Sequence, residues 1–379
     1  MLIYFSITAS FLVLSYSCVV TFLAFIWNKN VNGNKKKSPY SPNLKIPISL
    51  IISLRNESGN IKTLLHSISQ QEYQYFEVIC VNDHSEDNTA EIIESYLASS
   101  KSNFNLKLVN LEKGSKGKKA AITKGVEQAA GELIVTTDAD CQMGKYWLTE
   151  IASHYSDTAS YLMSGPVQIN PEGKWFQKLQ SLEFLTLVGI GATGIFLKTP
   201  SMCNGANLAY PKKIFEAVGG YQSSMHLPSG DDAFLLESVK AIAPQKISFI
   251  AHKNAIVRTA ATESFKAFFH QRKRWASKWN AHQKGIQSTI ALSIFLMYAF
   301  WLIAFVLTLL GTFNWILFLT FSVLKYLAEH FYLSKVLNFF KSQKLKYFIP
   351  LLYLVYPFYT LIFGMAVQFG HYEWKGRVN

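Results

Sequence analysis

The chain has four cysteines, Cys18, Cys80, Cys141 and Cys203, with no Cys-x-x-Cys pair among them. That pattern excludes a zinc ribbon and a disulfide framework and agrees with a reducing cytoplasmic setting. Acidic residues are also few, 24 Asp and Glu against 37 Lys and Arg, for a net charge of +13. Such a balance suits anionic lipid, a phosphorylated substrate or nucleic acid. Because lysines crowd beside the apolar runs, lipid headgroups account for much of it without a nucleic-acid partner. The Gly-x-x-x-x-Gly-Lys-Ser/Thr spacing of a P-loop is missing, as are internal repeats and long low-complexity tracts.

Formal charge is missing from long stretches near both ends. Residues 2–27 carry none, which is enough to cross a hydrocarbon core of about 30 Å. No charged residue precedes the run and no small-residue cleavage site follows it, so it reads as an uncleaved anchor. Lys29, Lys35, Lys36, Lys37 and Lys45 then place the next segment on the cytoplasmic side. Residues 285–324 are again uncharged, too long for one span, and interrupted at Gly311-Thr312-Phe313-Asn314, which predicts a helical hairpin. A last apolar stretch, 347–370, carries Pro350 and Pro357 and either spans or lies at the interface.

The expected organisation is an anchor over 1–28, a basic linker over 29–45, a cytoplasmic catalytic domain over 46–284, a membrane hairpin over 285–334, a basic cytoplasmic loop over 335–346 and an apolar segment with a tail over 347–379. This describes a multi-pass protein of the cell membrane, of undetermined oligomeric state. It contains one conflict. If 347–370 spans fully, the tail ends on the side away from the catalytic domain. Lys325 and Glu329, one helical turn apart inside an apolar run, are a functional hint at membrane depth, with a lipid headgroup as one partner.

Between residues 46 and 284 the pattern changes to short β-rich runs alternating with helical segments. Strands are expected at 46–54, 75–81, 104–109 and 132–137, with helices at 60–71, 89–99 and 118–129 between them. This is an α/β, doubly wound, mostly parallel sheet, which binds ligands past the carboxyl ends of its strands. Arg55-Asn56-Glu57, Asn82-Asp83 and Asp138-Ala-Asp140 stand at those ends. Asp83 reads equally as a turn or cap residue and as a nucleotide contact. Two carboxylates with one spacer after a buried strand repel unless a cation neutralises them, and hard oxygen ligands suit Mg2+ or Mn2+ beside substrate phosphates.

Lys113-Gly-Ser-Lys116-Gly-Lys118 opens a helix and suits an anion. Gly230-Asp231-Asp232 reads either as an acidic helix start or as the source of a general base, for which Asp232 is the choice over Asp231. In residues 265–279 a basic helix aligns Gln271, Arg274 and Trp275 on one face, offering an amide, a guanidinium for a diphosphate and a flat ring for a sugar. The same helix also reads as amphipathic and interfacial, with Phe265, Phe268 and Phe269 dipping into lipid.

This ordered set resembles the family 2 glycosyltransferases of GT-A fold, particularly membrane-bound members, over about residues 47–275 and in the tail Tyr372-Glu-Trp374-Lys-Gly-Arg377. The resemblance implies an inverting transferase using a nucleotide-sugar, usually a UDP-sugar, and a lipid or lipid-linked acceptor. It implies donor contacts from Arg55, Glu57, Asp83, Lys118, Asp138 and Arg274, and metal ligation by Asp140 with Asp138. Asp232 would be the base, and Gly205, Asp231, Gln271 and Trp275 would border the acceptor. Processive synthases of this kind usually carry Thr-Glu-Asp where this chain has Gly-Asp-Asp, which favours a single transfer over polymer synthesis. A non-catalytic scaffold is the third reading.

Overall fold

A computed structural model describes residues 2–33, 44–99, 104–227, 229–282, 286–366, 373–374 and 377–378. The chain opens with α1 (Leu2–Gly33) and enters an α/β domain: β1 (Ile48–Leu54), α2 (Ile61–Ser69), β2 (Phe76–Asn82), α3 (Thr89–Ala98), β3 (Asn105–Asn110), α4 (Lys118–Gln128) and β4 (Leu133–Asp138). Short elements follow: β5 (Gln142–Met143), α5 (Trp147–Thr158), β6 (Leu162–Ser164) and β7 (Val167–Ile169). The domain continues through α6 (Trp175–Phe196), β8 (Leu208–Pro211), α7 (Lys212–Ala217), α8 (Asp231–Ile242), β9 (Ile247–Phe249), β10 (Val257–Thr259) and α9 (Phe265–His282). Three apolar helices, α10 (Ile286–Leu309), α11 (Trp315–Phe339) and α12 (Ile349–Ala366), precede a small ladder of β11 (Glu373–Trp374) and β12 (Arg377–Val378).

The main sheet has the order β3-β2-β1-β4-β8-β6-β9. β1 pairs in parallel with β2 and β4, and β2 with β3, whereas β8 is antiparallel to both β4 and β6. Strand alternation divides the core in two. Leu50, Ile52, Val78 and Val135 pack on one face with α2 and α5, and Ile51, Ile79 and Ile134 on the other with α4, α6 and α8. The second face also receives the membrane-side helices. Trp27 of α1 is buried, its ring 6.3 Å from Phe249 and 5.6 Å from Phe339.

The basic loop expected over 335–346 is shorter, because α11 continues to Phe339 and carries Lys335 on its last turns. Of the linker expected over 29–45, residues 34–43 lie outside the described residues, as do Lys375 and Gly376 of the tail. Among the described residues, five helices, including α6, are long and apolar enough to cross a membrane. Lys325 does not face lipid headgroups. It is fully buried, with Nζ 2.8 Å from Glu329 Oε1 and against the rings of Tyr353 and Tyr298 at 4.2 and 4.8 Å. Tyr16 of α1 donates to the same carboxylate at 2.7 Å. The pair thus ties four helices together, as a paired charge in an apolar bundle must find its partners internally.

α12, about 27 Å long at 1.5 Å per residue, touches the α/β domain at both ends. Ile349 at its start is buried in the core shared with Phe249 and Phe340. Near its other end, Tyr359 donates to Glu183 of α6 at 3.2 Å and Phe363 lies 5.1 Å from Phe269 of α9. β11 in turn comes alongside α9. Phe268 is buried between Phe176 and Phe363 and does not dip into lipid, whereas Phe265 is exposed.

Candidate active site

A cavity of about 480 Å³ opens past the carboxyl ends of β1, β2 and β4. Arg55, Glu57, Asp83, Lys118, Asp138, Asp140, Gly205, Asp231, Asp232, Gln271, Arg274 and Trp275 all line it. Their elements are separated by as much as 220 positions in sequence, and the parallel crossovers bring their ends to one rim.

Arg55 and Asp83 knit one side of the cavity together. The Arg55 guanidinium donates to the carbonyl oxygens of Asp83 and His84 at 3.0 and 2.7 Å and to Glu86 at 3.1 Å. It therefore shapes the loop after β2. Both loops turn through left-handed residues, Asn56 with φ 52° and His84 with φ 54°, backbone that non-glycine side chains adopt at a cost and that concentrates at functional sites. Asp83 is buried and its Oδ2 accepts from the Gly117 N–H at 2.9 Å. Gly117, at φ 95°, caps α4 in a conformation that a side chain would strain. Glu57 accepts from Asn60 at 2.8 Å.

Lys118 stands at the centre. Its Nζ lies 2.7 Å from Asp138 Oδ1 and 3.1 Å from Asp231 Oδ2. Burial opposes its charge, but the carboxylates of Asp138 and Asp231 override that penalty and raise its pKa, so it stays protonated. Gly205 sits against this cluster. A Cβ there would meet Asp231 Oδ2 at 2.8 Å and Lys118 Nζ at 3.1 Å, so a side chain at this position would push those two groups aside. Thr136 and Thr137 of β4 hold that loop by donating to the carbonyls of Gly205 and Ala206 at 3.0 and 2.9 Å.

Asp231 is buried, whereas Asp232 is partly open to the cavity, its Oδ1 accepting from the Ala233 N–H at 2.8 Å. Both sequence readings of this pair hold together: the acids begin α8 and also face the site. Asp140 is exposed and accepts from Thr259 at 2.9 Å. Among the described residues no group of three or more His, Cys, Asp and Glu side chains is placed to hold a metal ion. Two carboxylates whose companions would be water and substrate phosphates are nevertheless the donor set that Mg2+ or Mn2+ takes beside a diphosphate, so Asp140 and Asp138 fit such an ion.

Several residues escaped the sequence. Arg272, next to Gln271 on α9, is buried with its guanidinium 2.5 Å from Glu183 and stacked 4.2 Å from the Trp275 ring. It also donates to Gln271 Oε1 at 2.6 Å. A lone acid in the apolar run 179–196 was the available signal for Glu183. Lys119 fastens the segment leading to Asp231 by donating to the Ser224 and Leu227 carbonyls at 2.7 and 3.2 Å. Phe184, Leu187, Val188, Gly191 and Ala192 of α6 form an apolar wall of the cavity.

The architecture is that of the GT-A class. A mannosyltransferase from Pyrobaculum calidifontis, solved with GDP-Man and Mn2+, superposes over 93% of this chain and 99% of its own with a TM-score of 0.61 at 16% identity, which establishes the likeness of fold. Residues 49–219 match the family model of glycosyl transferase family 2, and this domain belongs to that family. The poly-beta-1,6-N-acetyl-D-glucosamine synthase of Staphylococcus epidermidis is 28% identical over 182 residues, 47% of this chain and 42% of that protein. Glycosyltransferase AglE of Haloferax volcanii is 29% identical over 195 residues, 49% of this chain and 58% of that protein. The match thus spans about half the length of these relatives.

Proposed function

We propose that the chain is an inverting glycosyltransferase that moves one sugar from a nucleoside diphosphate sugar, a UDP-sugar by preference, to a hydroxyl of a membrane lipid or lipid-linked acceptor. The observation that carries this is the convergence of the carboxylate pair Asp138 and Asp140, a lysine and arginine, a partly open acid and an aromatic platform on one cavity. The catalytic domain, 46–284, would face the cytoplasm, with α1, α10 and α11 in the membrane.

In a single displacement, the Asp232 carboxylate takes the proton of the acceptor hydroxyl while that oxygen bonds to the anomeric carbon. The bond from that carbon to the diphosphate oxygen breaks, and the nucleoside diphosphate leaves with the electron pair. Asp140 and Asp138 would hold Mg2+ or Mn2+, which supplies charge neutralisation to the diphosphate. Lys118 and Arg274 add fixed positive charge for the leaving group. Asp83, backed by Arg55 and Gly117, faces the nucleoside; Glu57 steadies the loop that carries Arg55, through Asn60. Gln271 and Trp275 receive the acceptor, bordered by Gly205 and Asp231.

Asp232→Asn is expected to lower transfer by at least about a hundredfold, the usual contribution of a general base, while nucleotide affinity stays within a few fold of wild type. Undiminished turnover in that variant would remove Asp232 from this role. A polymer-forming reading draws on the name of the staphylococcal relative; a ladder of products in place of a single addition would favour it.

A further inference from the structure

The donor half of the cavity is polar, but α6 contributes a stripe with no polar side chain: Phe184, Leu187, Val188, Gly191 and Ala192, at the i, i+3, i+4, i+7, i+8 spacing of one helical face. Leu187 and Val188 are only half-buried. Met202, Phe249 and Ile169 complete the same wall. Neither a diphosphate nor a sugar has use for such a surface, and left against water it is unfavourable.

The wall is joined to the chemistry at both ends. Phe184 lies 5.6 Å from the Trp275 ring. At Gly191 the helix comes so close to Met202 that a Cβ would lie 2.8 Å from Met202 Cγ. Met202 is followed by Cys203, whose thiol donates to the Asp232 carbonyl at 3.4 Å, and then by Gly205 against Asp231. A hydroxyl delivered to Asp232 therefore carries whatever is attached to it onto Met202 and α6. Behind the wall, α6 packs on α1, α11 and α12, three other helices long and apolar enough to cross a membrane. The apolar part of the cavity thus lies between the reacting centre and that bundle.

We propose that the cavity-facing stripe of α6, with Met202 opposite, is the seat of an aliphatic chain carried by the acceptor. This rests on the reading of the site as a transferase for a membrane lipid and gives that acceptor its chemical class, a long-chain alcohol or a lipid whose chain begins close to the reacting hydroxyl. Each methylene buried on the wall strengthens binding by roughly fourfold, so long chains outcompete short ones.

The test uses the full chain in phosphatidylcholine nanodiscs with hexadecanol bearing a chain-end diazirine, and maps photolabelled peptides by mass spectrometry. Saturable labelling of the peptide containing residues 184–192, suppressed by unlabelled hexadecanol and not by butanol, is expected. Leu187→Gln combined with Val188→Asn is expected to cut that labelling at least about tenfold, with UDP affinity retained; if that pair fails to fold, Met202→Ser carries the same expectation. Labelling of α10, which reports bulk lipid contact, stays unsaturable and unchanged. The proposal is overturned if labelling on α6 is as unsaturable as on α10, if butanol competes equally, or if a folded variant labels like wild type. Labelling needs no turnover, so failure of the transferase reading shows separately, as a wild-type protein that transfers no sugar to any lipid.

Discussion

Arg272 positions two residues that line the cavity. Its guanidinium is held by Glu183, itself bonded to Tyr359, and it presents Gln271 and Trp275 to the cavity. Removing one member of a buried ion pair leaves the other uncompensated, at a cost of about 3–5 kcal/mol. Arg272→Met is therefore expected to lower the unfolding midpoint in detergent, measurable by thermal or denaturant titration. Glu183→Gln, which keeps the shape and one hydrogen bond, should raise the acceptor KM several fold with donor KM little changed if Trp275 and Gln271 receive the acceptor as proposed. Equal effects on both substrates would show that the pair only supports the fold. The face of Gln271, Arg274 and Trp275 was legible in the helical period. Arg272 was not, because its partner comes from α6, 89 positions away in sequence.

At the scale of elements, legibility follows length. β1 to β4 and α2 to α4 begin and end within two residues of the sequence expectation, because β1, β2 and β4, of six or seven residues, show a run of buried residues, mostly Val, Ile and Leu. From Gln142 to Thr259 the strands have two to four residues, too short for a period to register. α6 was missed as well. Its apolar composition gives no amphipathic signal, since membrane-side helices cover it on one side and the sheet on the other.

α12 addresses the topological conflict left by counting spans. We propose that α12, which shares a core with the α/β domain at Ile349 and touches it again at Tyr359 and Phe363, is a re-entrant or interfacial segment, which Pro357 within it suits. The tail would then share the side of the catalytic domain. Cysteine introduced after Asn379 is expected to resist a membrane-impermeant maleimide in intact cells and to react once the membrane is opened. Labelling in intact cells would make α12 a full span.

For the whole molecule, the polar and apolar halves of the site are explained by its position between an α/β domain and a helical bundle. Exposed Phe11, Phe22, Val306, Leu319 and Leu354 give α1, α10, α11 and α12 an apolar exterior suited to lipid. The buried Lys325–Glu329 pair with Tyr16, Tyr298 and Tyr353 fixes how those helices meet. The domain family could be read from the order of Asp83, Asp138, Asp140, Asp232 and Arg274. The apolar wall of α6 could not, because Phe184, Leu187, Val188, Gly191 and Ala192 are ordinary core types until the fold turns them toward the cavity.

The central claim is that this cavity transfers one sugar to a lipid. The most direct measurement incubates membranes containing the protein with Mg2+ or Mn2+ and a panel of radiolabelled nucleotide-sugars, then resolves the lipid extract. The account predicts a single labelled lipid carrying one added sugar, formed from one donor, abolished by EDTA and absent with Asp232→Asn. Label that enters only a polymer ladder, or no lipid with any donor, would contradict it.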